Sequence, residues 1–112
     1  MKYWIEELEK INKKIEPRSR VKNPGSLEFA AESATRTKDW KRQLAYLLRA
    51  IVVDHAFEDG NKRTGAIVTF RFFEANGIPF DARKVDQMLV NLAKKSVTDI
   101  EEIRRLIHDA TI

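Results

Sequence analysis

The sequence predicts an all-α fold, one helical bundle in a single domain, from three observations. Apolar residues recur at helical spacing along most of the 112 residues. The two-residue alternation of a half-buried strand is almost absent. Pro17, Pro24 and Pro79 all fall between the periodic stretches, where helices end or begin.

Each element follows in order. The first helix spans Tyr3 to Ile15, with Trp4, Ile5, Leu8, Ile11 and Ile15 on one stripe, and Pro17 closes it. The stretch "EPRSRVKNPGSLE" reads as a loop or a short extended hairpin, after which Ser26 caps a short helix through Leu27, Ala30 and Ala31. A long helix runs from Thr37 to about Phe57. Trp40, Leu44, Leu47, Leu48, Ile51 and Val52 form its core stripe, and His55 is the next member, at the edge of the core. The pattern pauses at Glu58 to Gly60 and resumes with Ala66, Ile67, Phe70 and Phe73, until "NGIP" ends it. Asp81 opens the next helix, with Val85, Met88, Leu89, Leu92 and Ala93 in step. The capping box "TDIE", Thr98 to Glu101, opens the last, which carries Ile103, Leu106 and Ile107.

Composition narrows the function. With 43% hydrophobic and 34% charged residues, the chain has enough apolar side chains to fold and a highly charged surface. The absence of cysteine removes disulfides, thiolate metal sites and cysteine nucleophiles. No apolar run approaches the roughly 20 residues of a membrane span, and "MKYWIEELEK" is unlike a signal peptide, so a cytoplasmic protein is expected. The net charge of +4 suits an acidic partner. The bases are nevertheless interleaved with acids and form no long block, so direct nucleic-acid binding is not expected.

The densest polar cluster is "HAFEDGNKRTG", His55 to Gly65, between the two most apolar helices. A histidine can accept a proton at neutral pH, although one on an apolar stripe is more often a packing residue. Phe57 reads as an anchor to the core. Asp59 can serve as a ligand for Mg²⁺, which keeps several waters and takes one or two protein carboxylates, or as a cap of the following helix. Gly60 and Asn61 tolerate the turn dihedrals that point successive N–H groups into one concavity at a helix N-terminus, an anion site. Lys62 and Arg63 then stand in the first helical turn, against the dipole, at some tenths to about 1 kcal/mol each. Two cations there make sense if an anion lies between them and the helix end. A base, a carboxylate, an anion nest and two cations are the parts needed to move a phosphoryl or nucleotidyl group onto a hydroxyl. The P-loop pattern is absent, and His108 is too far along the chain for a zinc pair with His55.

At these residues the chain resembles the Fic/Doc family, whose core motif H-x-F-x-[D/E]-G-N-[G/K]-R is matched by His55, Phe57, Asp59, Gly60, Asn61, Lys62 and Arg63. Ala56 stands where proline is common. The likeness extends from about Val21 to the C-terminus, including "PGSLEFAAE" near the family's flap, and implies a helical bundle with a motif loop (55–65) between central helices and a short flap (about 18–26). AMP-transferring members carry glycine where Lys62 stands and a second arginine where Ala66 stands. "NKRTG" instead resembles the death-on-curing (Doc) branch, whose characterised toxin phosphorylates a translation elongation factor with ATP.

The resemblance implies the following roles. His55 is the base, Asp59 holds Mg²⁺, and Gly60, Asn61, Lys62 and Arg63 cradle the phosphates of ATP. Arg20, Val21, Lys22 and Asn23 of the flap dock a protein substrate, expected to be a translation factor. Some members carry an inhibitory S/T-x-x-x-E-[G/N] helix. Thr98 to Glu102 gives T-x-x-x-E, but Ile103 follows, so a separate antitoxin is expected. The rival readings are an AMP-transferase of the same fold and a catalytically silent nucleotide- or protein-binding module.

Overall fold

The computed structural model describes the backbone of residues 2–111 and the side chains from Trp4 to Thr111. The terminal residues of the expected 1–112 domain lie outside the described residues. Six α-helices follow one another: α1 (Lys2–Ile15), α2 (Pro24–Thr35), α3 (Trp40–Leu48), α4 (Asn61–Ala75), α5 (Ala82–Lys95) and α6 (Ile100–Asp109). A π-helical turn, Arg49–Val53, continues α3. Among the described residues no strand forms. Isolated antiparallel bridges join Val21 to Phe57 and Phe80 to Thr111. The expected all-α fold is what the chain adopts.

The axis of the bundle is α3 with its π turn, which together touch α2, α4, α5 and α6. Leu44, Leu47, Leu48 and Ile51 on this axis are fully buried, each contributing about 1.5–3 kcal/mol relative to exposure. Leu27, Ala30 and Ala34 of α2, Val85, Leu89 and Leu92 of α5, and Ile103 and Ile107 of α6 close around them. Ala93 of α5, expected on the core stripe, is exposed.

The buried face of α4 differs from the expected one. Thr64, Gly65, Val68, Thr69 and Phe73 face the core, whereas Ala66, Ile67 and Phe70 are half-buried. The reason is a close helix crossing: a Cβ built on Gly65 would lie 2.7 Å from Val52 Cγ2. Thr69 can face the interior because its hydroxyl donates to the Gly65 carbonyl at 2.8 Å.

Helix boundaries shift where a neighbour caps better. The helix starting at Pro24 is preceded by Asn23, so Ser26 lies inside α2 and residues 24–26 are helical rather than flap. Asp39, not Thr37, caps α3, accepting from Lys41 N–H at 3.0 Å. Its other oxygen accepts from Arg104 Nε of α6 at 2.6 Å. Burial pushes the Asp39 carboxyl up, but the Arg104 hydrogen bond and charge, with the N–H groups of Arg42 and Lys41, outweigh it and hold it below the ordinary aspartate value. The last helix is capped by Asp99, one residue later than the expected Thr98. Asp81 caps α5 as expected.

Candidate functional site

Three stretches of chain build the polar cluster: the end of the π turn, the segment after α1, and the start of α4. The π turn lets Asp54 N–H reach the Arg49 carbonyl at 2.9 Å and Ala56 N–H reach the Ala50 carbonyl at 3.0 Å. Such turns recur at functional sites. The long helix therefore stops at Val53 rather than near Phe57.

His55 follows with φ 53°, in the left-handed region that a non-glycine residue occupies only at some cost. Asn23 Nδ2 holds this conformation by donating to the carbonyls of both Asp54 and His55. The backbone reversal takes His55 off the core stripe. Its side chain is exposed rather than half-buried, and its ring has no hydrogen-bond partner among the described residues.

Arg20, Val21, Lys22 and Asn23 run beside the motif loop. Glu58 N–H donates to the Arg20 carbonyl at 2.9 Å, and Lys22 N–H donates to the Ala56 carbonyl at 2.7 Å. Arg20 N–H donates to Glu58 Oε1 at 3.1 Å. One edge of the segment is thus paired within the chain. The N–H and C=O of Val21 alternate to the other edge and have no partner among the described residues.

The loop then turns through Gly60, whose φ of 72° is left-handed and whose absent Cβ would meet Glu16 Cγ at 3.1 Å. Gly60 is the N-cap of α4, so Asp59 does not cap the helix. The Asp59 carboxylate is exposed and has no partner among the described residues. With no capping side chain, the N–H groups of Asn61, Lys62 and Arg63 have no acceptor among the described residues; the first helical bond is Thr64 N–H to the Gly60 carbonyl, 2.9 Å. Asn61 turns its side chain inward and clamps the loop. Its Nδ2 donates to the Phe57 carbonyl at 2.8 Å and its Oδ1 accepts from Phe57 N–H at 3.0 Å. Phe57 is the expected core anchor, 1% exposed.

Lys62 and Arg63 occupy the first turn of α4, but their side chains diverge. Lys62 Nζ lies 3.8 Å from Asp86 Oδ1 of α5, and Arg63 Nη2 donates to Glu16 Oε1 at 2.7 Å. Both pairs are solvent-exposed, a class worth about 0–1 kcal/mol, so neither is a strong barrier to an incoming anion.

Two buried polar residues that the sequence analysis did not single out hold the loop from below. Asn12 of α1 donates to the Asp59 carbonyl at 2.8 Å and to Thr64 Oγ1 at 3.2 Å. Ser19 Oγ donates to the same carbonyl and accepts from Asp59 N–H, both at 3.2 Å. A signal for Asn12 existed: it sits four residues after Leu8 and three before Ile15, a polar residue on the apolar stripe of α1. Ser19 offered none, since its partner lies forty positions away.

A search of family models matches residues 4–73 to the Fic/DOC family, more than half of the chain. The chain belongs to this family. No curated protein matches it significantly. The match takes in α1, which the expected span from Val21 left out, and ends before α5 and α6. Membership carries transfer chemistry of phosphoryl or nucleotidyl type in general, protein substrates, and the general use of ATP and Mg²⁺. Among the described residues no helix is long and apolar enough to cross a membrane, and no three acids or histidines cluster as a metal cage. A lone carboxylate beside an anion nest fits Mg²⁺, which shares its coordination with phosphate oxygens and water.

Proposed function

We propose that the chain transfers the terminal phosphoryl group of ATP to a hydroxyl of a protein substrate. The observation that carries this reading is the unsatisfied N-terminus of α4, with three free N–H groups, beside an exposed histidine and an unpaired carboxylate. Donors fixed in advance at the place where charge develops supply much of the catalysis in phosphoryl transfer.

In the proposed step, His55 takes the proton of the acceptor hydroxyl as that oxygen bonds to the γ-phosphorus. The bond from the γ-phosphorus to the bridging oxygen breaks, and ADP leaves with the electron pair. The N–H groups of Asn61, Lys62 and Arg63, with the Lys62 and Arg63 side chains once released from Asp86 and Glu16, hold the phosphates. Asp59 would hold Mg²⁺, which neutralises phosphate charge when bound. Val21 would pair its free backbone edge with an extended stretch of the substrate.

Lys62 and Ala66 favour γ-phosphoryl over AMP transfer: the first puts a cation on the path of a conventionally placed triphosphate, and the second supplies no γ-phosphate clamp. The resemblance to the death-on-curing branch adds a translation factor as acceptor, a separate antitoxin and a cytoplasmic setting. The test is incubation of a host lysate with Mg²⁺ and ATP labelled at the α or γ position, with His55→Ala as control. Label from the γ position that the variant loses supports the proposal. Label from the α position makes the chain an AMP-transferase, and no histidine-dependent label from either makes it a binding module.

A further inference from the structure

A recess of about 330 Å³ opens at Asp54, the neighbour of His55 in the chain, and none of the nest residues Gly60 to Arg63 lines it. Gly25, Ser26 and Phe29 of α2 form one wall, and Tyr46, Arg49 and Asp54 form the other. Asn23 joins this recess to the motif loop, since it immediately precedes α2 and its side chain donates to the Asp54 and His55 carbonyls.

We propose that this recess receives an aromatic side chain of the protein substrate, a few residues from the acceptor hydroxyl. The inference rests on the phosphotransferase reading for its acceptor, but not for the binding itself.

Three observations support it. Phe29, 54% exposed, is the one large hydrophobic residue exposed among the described residues. It is held ready, with the Tyr46 ring edge-on at 6.3 Å and the Arg49 guanidinium 5.4 Å from its centroid. An exposed aromatic fixed by its neighbours loses little freedom when a partner covers it. Gly25 is the second observation. Its φ is not left-handed and an added Cβ would meet nothing within 4 Å, so neither conformation nor packing explains a glycine in a helix. A partner's backbone lying close against α2 would.

Charge is the third. The Asp54 carboxylate and the Arg49 guanidinium both line the recess and offset each other, so it carries no net charge to attract a polyphosphate. Arg49 also stays over the Phe29 ring while its Nη1 donates to the Thr98 carbonyl at 3.3 Å, a face on which an aromatic ring can stack. A nucleotide therefore belongs at the nest of α4, with its free N–H groups and two cations, and a neutral aromatic side chain belongs here. Asn23, two residues after Val21, bonds to the Asp54 and His55 carbonyls, and this bridge would let one extended segment meet the flap, His55 and the recess together.

The first probe is N-acetyl-phenylalaninamide, titrated into ¹⁵N-labelled protein, with AMP in parallel. We expect shifts at the amides of Gly25, Ser26, Phe29, Arg49 and Asp54 with the amino-acid amide, and with AMP only around Gly60 to Arg63. Phe29→Ala should weaken the amide probe about tenfold or more, as truncating an aromatic anchor does. Shifts confined to the distant recess of Trp4 and Trp40, or AMP in place of the amide probe, would overturn the proposal.

The second probe is a peptide library with one serine, threonine or tyrosine and randomised flanks, labelled from γ-ATP. Selection of an aromatic residue at one fixed offset, lost in Phe29→Ala, supports the proposal; selection that persists in the variant overturns it. Seating of the amide probe without any histidine-dependent label would leave the recess as a peptide-docking site and reject the phosphotransferase reading.

Discussion

Replacing Asn12 by alanine should loosen the motif loop from a position that touches neither nucleotide nor acceptor. Asn12 is 1% exposed and spends both amide protons on the site, one on the Asp59 carbonyl and one on Thr64 Oγ1. In the variant the Asp59 carbonyl keeps Ser19 Oγ, but the fully buried Thr64 hydroxyl loses its donor. An orphaned buried polar group costs about 1–3 kcal/mol, and the void adds to it, giving roughly 2–3 kcal/mol. For a domain near this size that is a fall of about 8–15 °C in Tm, read by differential scanning calorimetry.

The functional half of the prediction is sharper. Asp59 and the nest of α4 move with the carbonyl that Asn12 holds, and a 1 Å misplacement of such groups can cost about a hundredfold in rate. Histidine-dependent γ-transfer, assayed well below the variant's Tm, should fall by one to two orders of magnitude. A double-mutant cycle with Thr64→Val adds a check. The pair should couple by roughly 1 kcal/mol, because with both partners apolar no group is orphaned. A lower Tm with kcat unchanged per folded molecule would refute the reasoning, and Asn12 would be an ordinary core residue.

Three further outcomes are expected. Glu16→Gln should free Arg63 and tighten ATP analogue binding severalfold at low salt, an effect of at most about 1 kcal/mol that salt erodes; isothermal titration calorimetry measures it, and weaker binding would contradict it. Gly65→Ala should destabilise by about 1–3 kcal/mol through the clash with Val52, and Val52→Ala should recover part of the loss in denaturant melts; additive losses would mean that the crossing is looser than described. Asp39 has a lowered carboxyl pKa in the folded state, so its stabilisation is present above the unfolded aspartate value and is lost as pH falls through the folded one. Urea melts should therefore show stability dropping below about pH 4, and Asp39→Asn, which still caps the helix but gives up the charged pair with Arg104 at up to about 1 kcal/mol at neutral pH, should flatten that drop.

Much of this architecture was legible because helical burial is periodic. The stripes of α1, α3 and α6 repeat every three or four residues, and the caps at Asp81 and Asn76–Gly77 carry their own chemistry. The face of α4 was misread for a physical reason. Periodicity weighs side chains by hydrophobicity, but this helix approaches the π turn through Gly65 and satisfies Thr64 and Thr69 internally, so its buried face looks polar. His55 was misplaced by the same logic: extrapolating the α3 stripe assumes continuous α-helix, and five residues of π turn followed by one left-handed residue break the phase.

The motif residues could be named from sequence, but not the way they share the work. Four residues expected to cradle phosphate divide into different tasks. Gly60 makes the turn, Asn61 commits its whole amide to Phe57, Lys62 leans on α5, and Arg63 leans on Glu16 just after α1. What remains free to meet an anion without first breaking an ion pair is backbone, the N–H groups of three successive residues. Backbone donors have no sequence signature of their own. They can be aimed only by whatever fixes the turn, and here that is Asn12, Ser19 and Asn61 acting on the carbonyls and amides of Phe57 and Asp59. The functional identity of this loop therefore depends as much on buried amides and a hydroxyl beneath it as on the charged side chains that announce it. Substitutions at Asn12 or Ser19 should accordingly impair transfer more than the removal of either exposed ion pair.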